Sequence, residues 1–198
     1  MALHENKRGM YEYVLSKSIM LIFILGIVYV FYNFYNSLNI KSAGDVAESE
    51  AERIAKIIDD TISYTGIETE HVIILNNNLK VGQTQVSYNL KITDKAVVLQ
   101  MENYPYSDIK GIGIFGQGRL QPGRSDRTGT SNTEINCAWN EIVRGGELLV
   151  KKTEGYEVRT SGGYTVWYTV DVTISSEACG DTINLWGEWC VGDNCQES

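Results

Sequence analysis

Apolar and polar residues follow three different rhythms along this chain. From Ile19 to Leu38 (IMLIFILGIVYVFYNFYNSL) there is no charged residue and almost no break in the apolar run. Twenty residues at ~1.5 Å rise make a helix of ~30 Å, the thickness of one hydrocarbon core. From Ser42 to Tyr64 (SAGDVAESEAERIAKIIDDTISY) the rhythm changes. Ala47, Ala51, Ile54, Ala55, Ile58 and Ile62 recur at three- and four-residue steps, while Glu48, Glu52, Arg53, Lys56, Asp59 and Asp60 take other faces. That pattern predicts an amphipathic helix of about six turns. Gly44, with Ser42 and Asp45 placed to cap a fresh start, predicts a weak or kinked junction between the two helical stretches, and Gly66 marks the end.

After Gly66 the period becomes two. Val86, Tyr88, Leu90 and Ile92 alternate with polar partners, Ala96 to Met101 form a second apolar run, and Thr93, Asp94 and Lys95 between them fit a hairpin connection. Tyr164, Val166, Tyr168, Val170, Val172 and Ile174 share one face of a long antiparallel strand with one buried side. His71 to Leu75, Ile109 to Ile114, Ile135 to Val143 and Glu147 to Lys152 are further strand candidates. Of the 19 glycines, 14 lie at or after Gly111, which suits a turn-rich sheet. The fold class is therefore α+β: a long N-terminal transmembrane and amphipathic helix packed on an antiparallel β-sheet domain. The expected organisation is a basic leader over 1–18, a membrane helix over 19–40, an amphipathic helix over 41–65 and a β-rich head over 66–198.

Charge gives this layout a direction. Residues 1–40 carry Lys7, Arg8 and Lys17 against Glu5 and Glu12, a net of +1, and residues 41–198 carry −9, together the −8 of the 198-residue chain. Short basic flanks stay cytoplasmic, so the acidic head is expected outside the cell. Tyr29, Phe31, Tyr32, Phe34 and Tyr35 cluster in the outer half of the span, as at a lipid headgroup layer. A removed signal peptide would have a shorter apolar core ending in small residues, whereas this one runs long and ends in aromatics. The acidic balance also argues against nucleic acid as a partner, because phosphate binding is dominated by Lys and Arg.

Cys137, Cys179, Cys190 and Cys195 all fall in the head, and an even count in an oxidising compartment is a disulfide pattern with three possible connectivities. The short separation of Cys190 and Cys195 favours that pair, which leaves Cys137 with Cys179. Zinc would call for CxxC pairs or nearby histidines, and the chain has neither arrangement. Trp186 and Trp189, between Cys179 and Cys190, are expected to be buried against the disulfides.

A short basic leader ending Lys7-Arg8-Gly9, an early Glu12, one hydrophobic helix running into an amphipathic helix, and a β-rich head resemble the type IV pilin-like proteins of archaea, whose class III leaders are cut by a prepilin peptidase. The resemblance covers the first third of the chain and, in architecture, the head. It implies cleavage between Gly9 and Met10, with Glu12 near the new terminus, and lateral packing of the hydrophobic helices in a filament core.

Other motifs yield to plainer readings. Gly111, Gly113 and Gly116 spell GxGxxG, but no helix carrying an acidic residue about 20 positions on follows, so the motif reads as a strand with close backbone packing or a bulge. A catalytic thiol of the sortase kind would require a neighbouring histidine, and His71 begins a strand. Gln117 to Thr133 is the longest polar run; its Arg119, Arg124 and Arg127 are candidates for contact with an acidic neighbouring subunit or an anionic surface glycan. The expectation is a non-enzymatic structural protein of the cell envelope. It needs no cofactor and no metal, is embedded in the membrane, associates with its own kind or other pilin-like subunits through its N-terminal helix, and presents its head to a surface glycan or protein. A stand-alone membrane-anchored binding or adhesion domain is the alternative, and an anchored hydrolase ranks third.

Overall fold

The computed structural model describes residues 2–198 apart from 67, 104, 117, 119, 123–133, 138–145, 160–164, 178, 180, 193–194 and 196–198, and excludes the side chains of 2–9, 122, 159 and 181. Helix α1 runs unbroken over Ala2–Ser63. The junction at Gly44 therefore does not interrupt it. A glycine costs about 1 kcal/mol relative to alanine, less than the turns on either side supply once the helix is propagating and one face is packed. Two compact units divide the chain, 1–41 and 42–198.

In the first unit the apolar run is long enough to cross a membrane. Its large side chains are exposed all round the helix: Leu21 60%, Phe23 69%, Val28 58%, Phe31 68%. A helix that is apolar on every face and covered on none by its own chain needs lipid or other helices around it.

The second unit begins inside α1. Ala43, Ala47, Ala51, Ile54, Ala55 and Ile58 are buried, so the amphipathic stretch is part of the head's core rather than a stalk leading to it. Eleven strands follow among the described residues: β1 (Glu68–Ile74), β2 (Leu79–Val81), β3 (Thr84–Val86), β4 (Tyr88–Thr93), β5 (Ala96–Met101), β6 (Lys110–Ile114), β7 (Gln121–Pro122), β8 (Glu134–Cys137), β9 (Glu147–Arg159), β10 (Thr165–Ser176) and β11 (Asp181–Gly192). They form a five-stranded sheet in the order β1-β9-β10-β11-β7, a four-stranded sheet in the order β6-β5-β4-β8, and the small hairpin β2-β3; every pairing is antiparallel.

Local chemistry sets these elements. The β4–β5 hairpin closes where the Thr93 hydroxyl accepts hydrogen bonds from the backbone N–H groups of Lys95 (3.3 Å) and Ala96 (3.1 Å). The β2–β3 turn places Gly82 at φ +61°, the left-handed region that a tight two-residue hairpin demands. Tyr88, Leu90 and Ile92 face the core from β4, as their alternation predicts, and Val97, Leu99 and Met101 face it from β5.

The helix meets the four-stranded sheet at β6, and here glycine is obligatory. A Cβ at Gly111 would lie 2.1 Å from both the carbonyl carbon and the carbonyl oxygen of Ala47. One at Gly113 would lie 2.2 Å from the Ala51 oxygen and 2.8 Å from the Ala55 Cβ. Alanines at four-residue steps on the helix and glycines at alternate positions on the strand thus let two backbones touch. The third glycine of the motif, Gly116, donates its N–H to Asp59 Oδ1 at 2.9 Å. GxGxxG in this chain is a helix-docking seam.

Two disulfides complete the head. Cys137 on β8 is joined to Cys179, just past β10, with Cα atoms 5.2 Å apart, tying the two large sheets together. Cys190, near the end of β11, is joined to Cys195 with Cα atoms 5.6 Å apart.

Candidate functional site

The inner face of the five-stranded sheet changes character along its length. Cross-strand partners form successive rows on β9, β10 and β11: Val150, Ile174 and Ile183; then Lys152, Val172 and Leu185; then Glu154, Val170 and Gly187; then Tyr156, Tyr168 and Trp189; then Val158, Val166 and Val191. Period-two geometry puts all of these on one face. The first two rows are buried, lysine included. The last two are not: Tyr156 is 72% exposed, Val158 45%, Tyr168 37% and Val191 56%. The three longest strands outrun the helix that covers them, so a face expected to be buried throughout is buried only from Val170 onward.

Where the cover stops, a cleft of about 350 Å³ opens. Asp59, Ile62 and Ser63 from the last turns of α1 form one wall, Gly116, Gly118 and Leu120 a second, and Lys152, Glu154, Val170 and Trp189 the sheet side. Its polar groups are firmly placed. Lys152 is 4% exposed, and its Nζ donates to the Tyr64 carbonyl oxygen at 2.5 Å and pairs with Glu154 Oε1 at 2.6 Å. A lysine at a core position of β9 is thereby satisfied twice, by the carbonyl left over beyond the helix C-terminus and by a carboxylate two residues along its own strand. Asp59 is fixed through Gly116. Trp189 stacks on Tyr168 with ring centroids 5.8 Å apart and planes 15° from parallel.

This site was only partly visible beforehand. Trp189 is half-buried and lines the cleft, and Trp186 is half-buried on the opposite face of β11, so neither is fully buried as expected. The cause is that β11 is a twelve-residue strand, which the sequence reading did not assign; the alternation Ile183, Leu185, Gly187, Trp189, Val191 was its signal. Lys152 ends the strand candidate 147–152 and Glu154 lies beyond it, whereas the strand continues to Arg159, and nothing local reveals that helix α1 ends over them.

The other candidate residues lie apart from the cleft or outside the described residues. Gly9, Met10 and Glu12 fall within α1, Met10 70% exposed and Glu12 also on the surface. Arg119, Arg124 and Arg127 lie outside the described residues. His71 is exposed on β1, and the four cysteines are all paired. Among the described residues no group of three His, Cys, Asp or Glu side chains converges as a metal-ligand set.

Elsewhere in the head, charge pairs sit on the strands. Lys151 pairs with Glu68 across β1 and β9 at 2.6 Å, and Lys91 with Glu134 across β4 and β8 at 2.5 Å. Hydrogen bonds from these lysines hold both carboxyls below the usual carboxylate range. Burial pushes the Tyr88 phenol well above its ordinary value, with the nearby Glu50 charge adding to the effect. Compared with protein-family models, curated proteins and solved structures, the chain matches none.

Proposed function

We propose that this protein is a pilin-like structural subunit of the cell envelope. It is held in the membrane by the first part of α1, assembles laterally through that helix, and displays its β-rich head outside the cell. The reading rests chiefly on the apolar run of α1, whose large side chains are exposed all round the helix. A helix with large apolar side chains on every face is stable only in lipid or against neighbouring helices. Gly26, with open space around its Cα among Ile22, Phe23 and Val30, offers a notch where another helix backbone can approach. The basic leader with Gly9, the disulfides of the head and the acidic charge beyond the span support the same topology.

The test is the N-terminus and the assembly state in native membranes. Intact-mass measurement is expected to find Met10 as the first residue, and a photo-crosslinker replacing Phe31 to trap a ladder of oligomers. An intact Met1 together with monomers only would remove the filament reading. The second reading, a stand-alone anchored binding domain, is favoured by one observation, the cleft with its adjoining aromatic row. It predicts monomers and a ligand.

A further inference from the structure

The geometry points to a binding site for a neutral pyranose glycan, made by the cleft at the end of α1 and the aromatic row Tyr156, Tyr168 and Trp189. The site does not depend on whether the chain polymerises.

Three adjacent strands carry one aromatic residue each in a single row, and strands lie ~4.8 Å apart, so the row extends roughly 10 Å across the sheet. Tyr168 and Trp189 are stacked with planes 15° from parallel, so the pair is a two-ring apolar slab of which a ligand can meet only an outer ring face. Sugar rings expose patches of C–H on their flat faces and hydroxyls on their rims, which fits such a slab bordered by hydrogen-bonding groups. The border is present. Asp59 and Glu154 each use one carboxylate oxygen within the head, on the Gly116 N–H and on Lys152, and among the described residues their second oxygens make no hydrogen bond. Free carboxylate acceptors select hydroxyl donors. The Ser63 hydroxyl completes the polar wall, while Ile62, Leu120 and Val170 keep the floor apolar. A volume of about 350 Å³ admits one pyranose ring with some water, and the row beyond it carries a second ring.

Charge narrows the ligand class. Among the described residues lining the cleft the cation is Lys152, which is buried and already engaged, and the head is acidic, so phosphorylated, sulfated and nucleic-acid ligands are disfavoured. A small organic cation would find carboxylates and an indole, but it would leave Tyr156, the outermost and most exposed ring, without a role.

The experiment uses the full chain in polyoxyethylene micelles, whose headgroup is neither sugar nor cation. The probes are glucose, galactose, mannose, N-acetylglucosamine and their homodisaccharides, with tetramethylammonium as the competing class, and the indole N–H resonance of Trp189 is followed. Saturable shifts with Kd of about 1 mM are expected for at least one disaccharide, several-fold tighter than for its monosaccharide. Trp189→Ala should abolish the shift seen by tryptophan fluorescence. Should that variant fail to fold, Tyr156→Ala, at a solvent-exposed ring, should remove the disaccharide's advantage and leave the monosaccharide unchanged, and Glu154→Gln should weaken both. No saturable shift with any sugar overturns the proposal, as does a disaccharide advantage that survives Tyr156→Ala or saturation of the same resonance by tetramethylammonium.

Discussion

Replacing Gly111 by alanine adds a single methyl group, yet the helix seam makes it one of the most damaging changes available in the head. The added carbon would sit 2.1 Å from two backbone atoms of Ala47 and 2.4 Å from the Glu48 nitrogen, whereas ordinary contact begins near 3.4 Å. No rotamer can relieve this, since the opposing atoms are main chain. The helix must retreat by about 1.3 Å, the difference between those two distances. Retreat by that much opens a gap beneath Ala43, Ala51, Ile54, Ala55 and Ile58, all now fully packed, and a gap of even 0.5–1 Å forfeits a quarter to a half of each dispersion contact. Overpacking in cores costs about 1–3 kcal/mol, and with a rigid backbone opposite the upper end applies, about 3 kcal/mol. For a unit of this size that is a fall in melting temperature of roughly 10 °C. Thermal unfolding of the full chain in micelles, followed by near-ultraviolet circular dichroism, measures it. Two controls isolate the cause. Gly44→Ala, where nothing lies within 4 Å, should stabilise by about 0.5–1 kcal/mol, because the substitution is the same but the seam is absent. Combining Gly111→Ala with Ala47→Gly should not rescue, because the clash is with the Ala47 backbone rather than its methyl. A fall under about 2 °C, or rescue by Ala47→Gly, would refute the backbone-contact explanation.

Lys152→Met keeps the shape of the side chain and removes its charge, leaving the Tyr64 carbonyl without its donor; denaturant titration should show a loss of about 1.5–3 kcal/mol, partly recovered when Glu154→Gln is added. Tyr88 stays protonated in the fold above its ordinary pKa of 10.0, so the unfolded chain binds fewer protons there and stability falls as pH rises past 10, by about 1.4 kcal/mol per pH unit for this one group. In Tyr88→Phe that part of the alkaline decline should vanish, at the cost of the hydrogen bond to the Asn76 carbonyl (2.6 Å). At the acid end, the lowered pKa values of Glu68 and Glu134 contribute stability that is present above the ordinary carboxylate range and lost as pH falls through the lowered values; Lys151→Met and Lys91→Met should each flatten this arm of the stability profile. Among the disulfides, opening Cys137–Cys179, which closes a separation of 42 residues, should destabilise by about 4 kcal/mol, and opening Cys190–Cys195, a separation of 5, by about 2 kcal/mol, from loop entropy in the unfolded chain. Paired Cys→Ala variants compared by chemical denaturation give both numbers.

Periodicity and composition alone determined a good deal. An uncharged stretch as long as a bilayer is thick reads as a helix with apolar faces to cover, and helical or two-residue spacing is imposed by local backbone geometry. The helical character of 19–64 and the existence of β4, β5 and β10 were therefore legible, though the unbroken course of α1 and the division of Val86 from β4 were not. The close approach at Gly111 and Gly113 was legible too, because only glycine leaves room for a backbone. Tertiary structure decided what touches what. That the glycines receive Ala47 and Ala51, that Gly44 passes within an unbroken helix, and that Lys152 meets the carbonyl of Tyr64 are contacts between residues tens of positions apart, which no local pattern encodes. The same holds for the candidate site. Alternation placed Val166, Tyr168 and Val170 on one face, but whether that face is covered depends on where the helix ends relative to the strands. It ends at Ser63, above Lys152 and Glu154, and that termination converts the far end of a core face into an open aromatic surface beside a cleft.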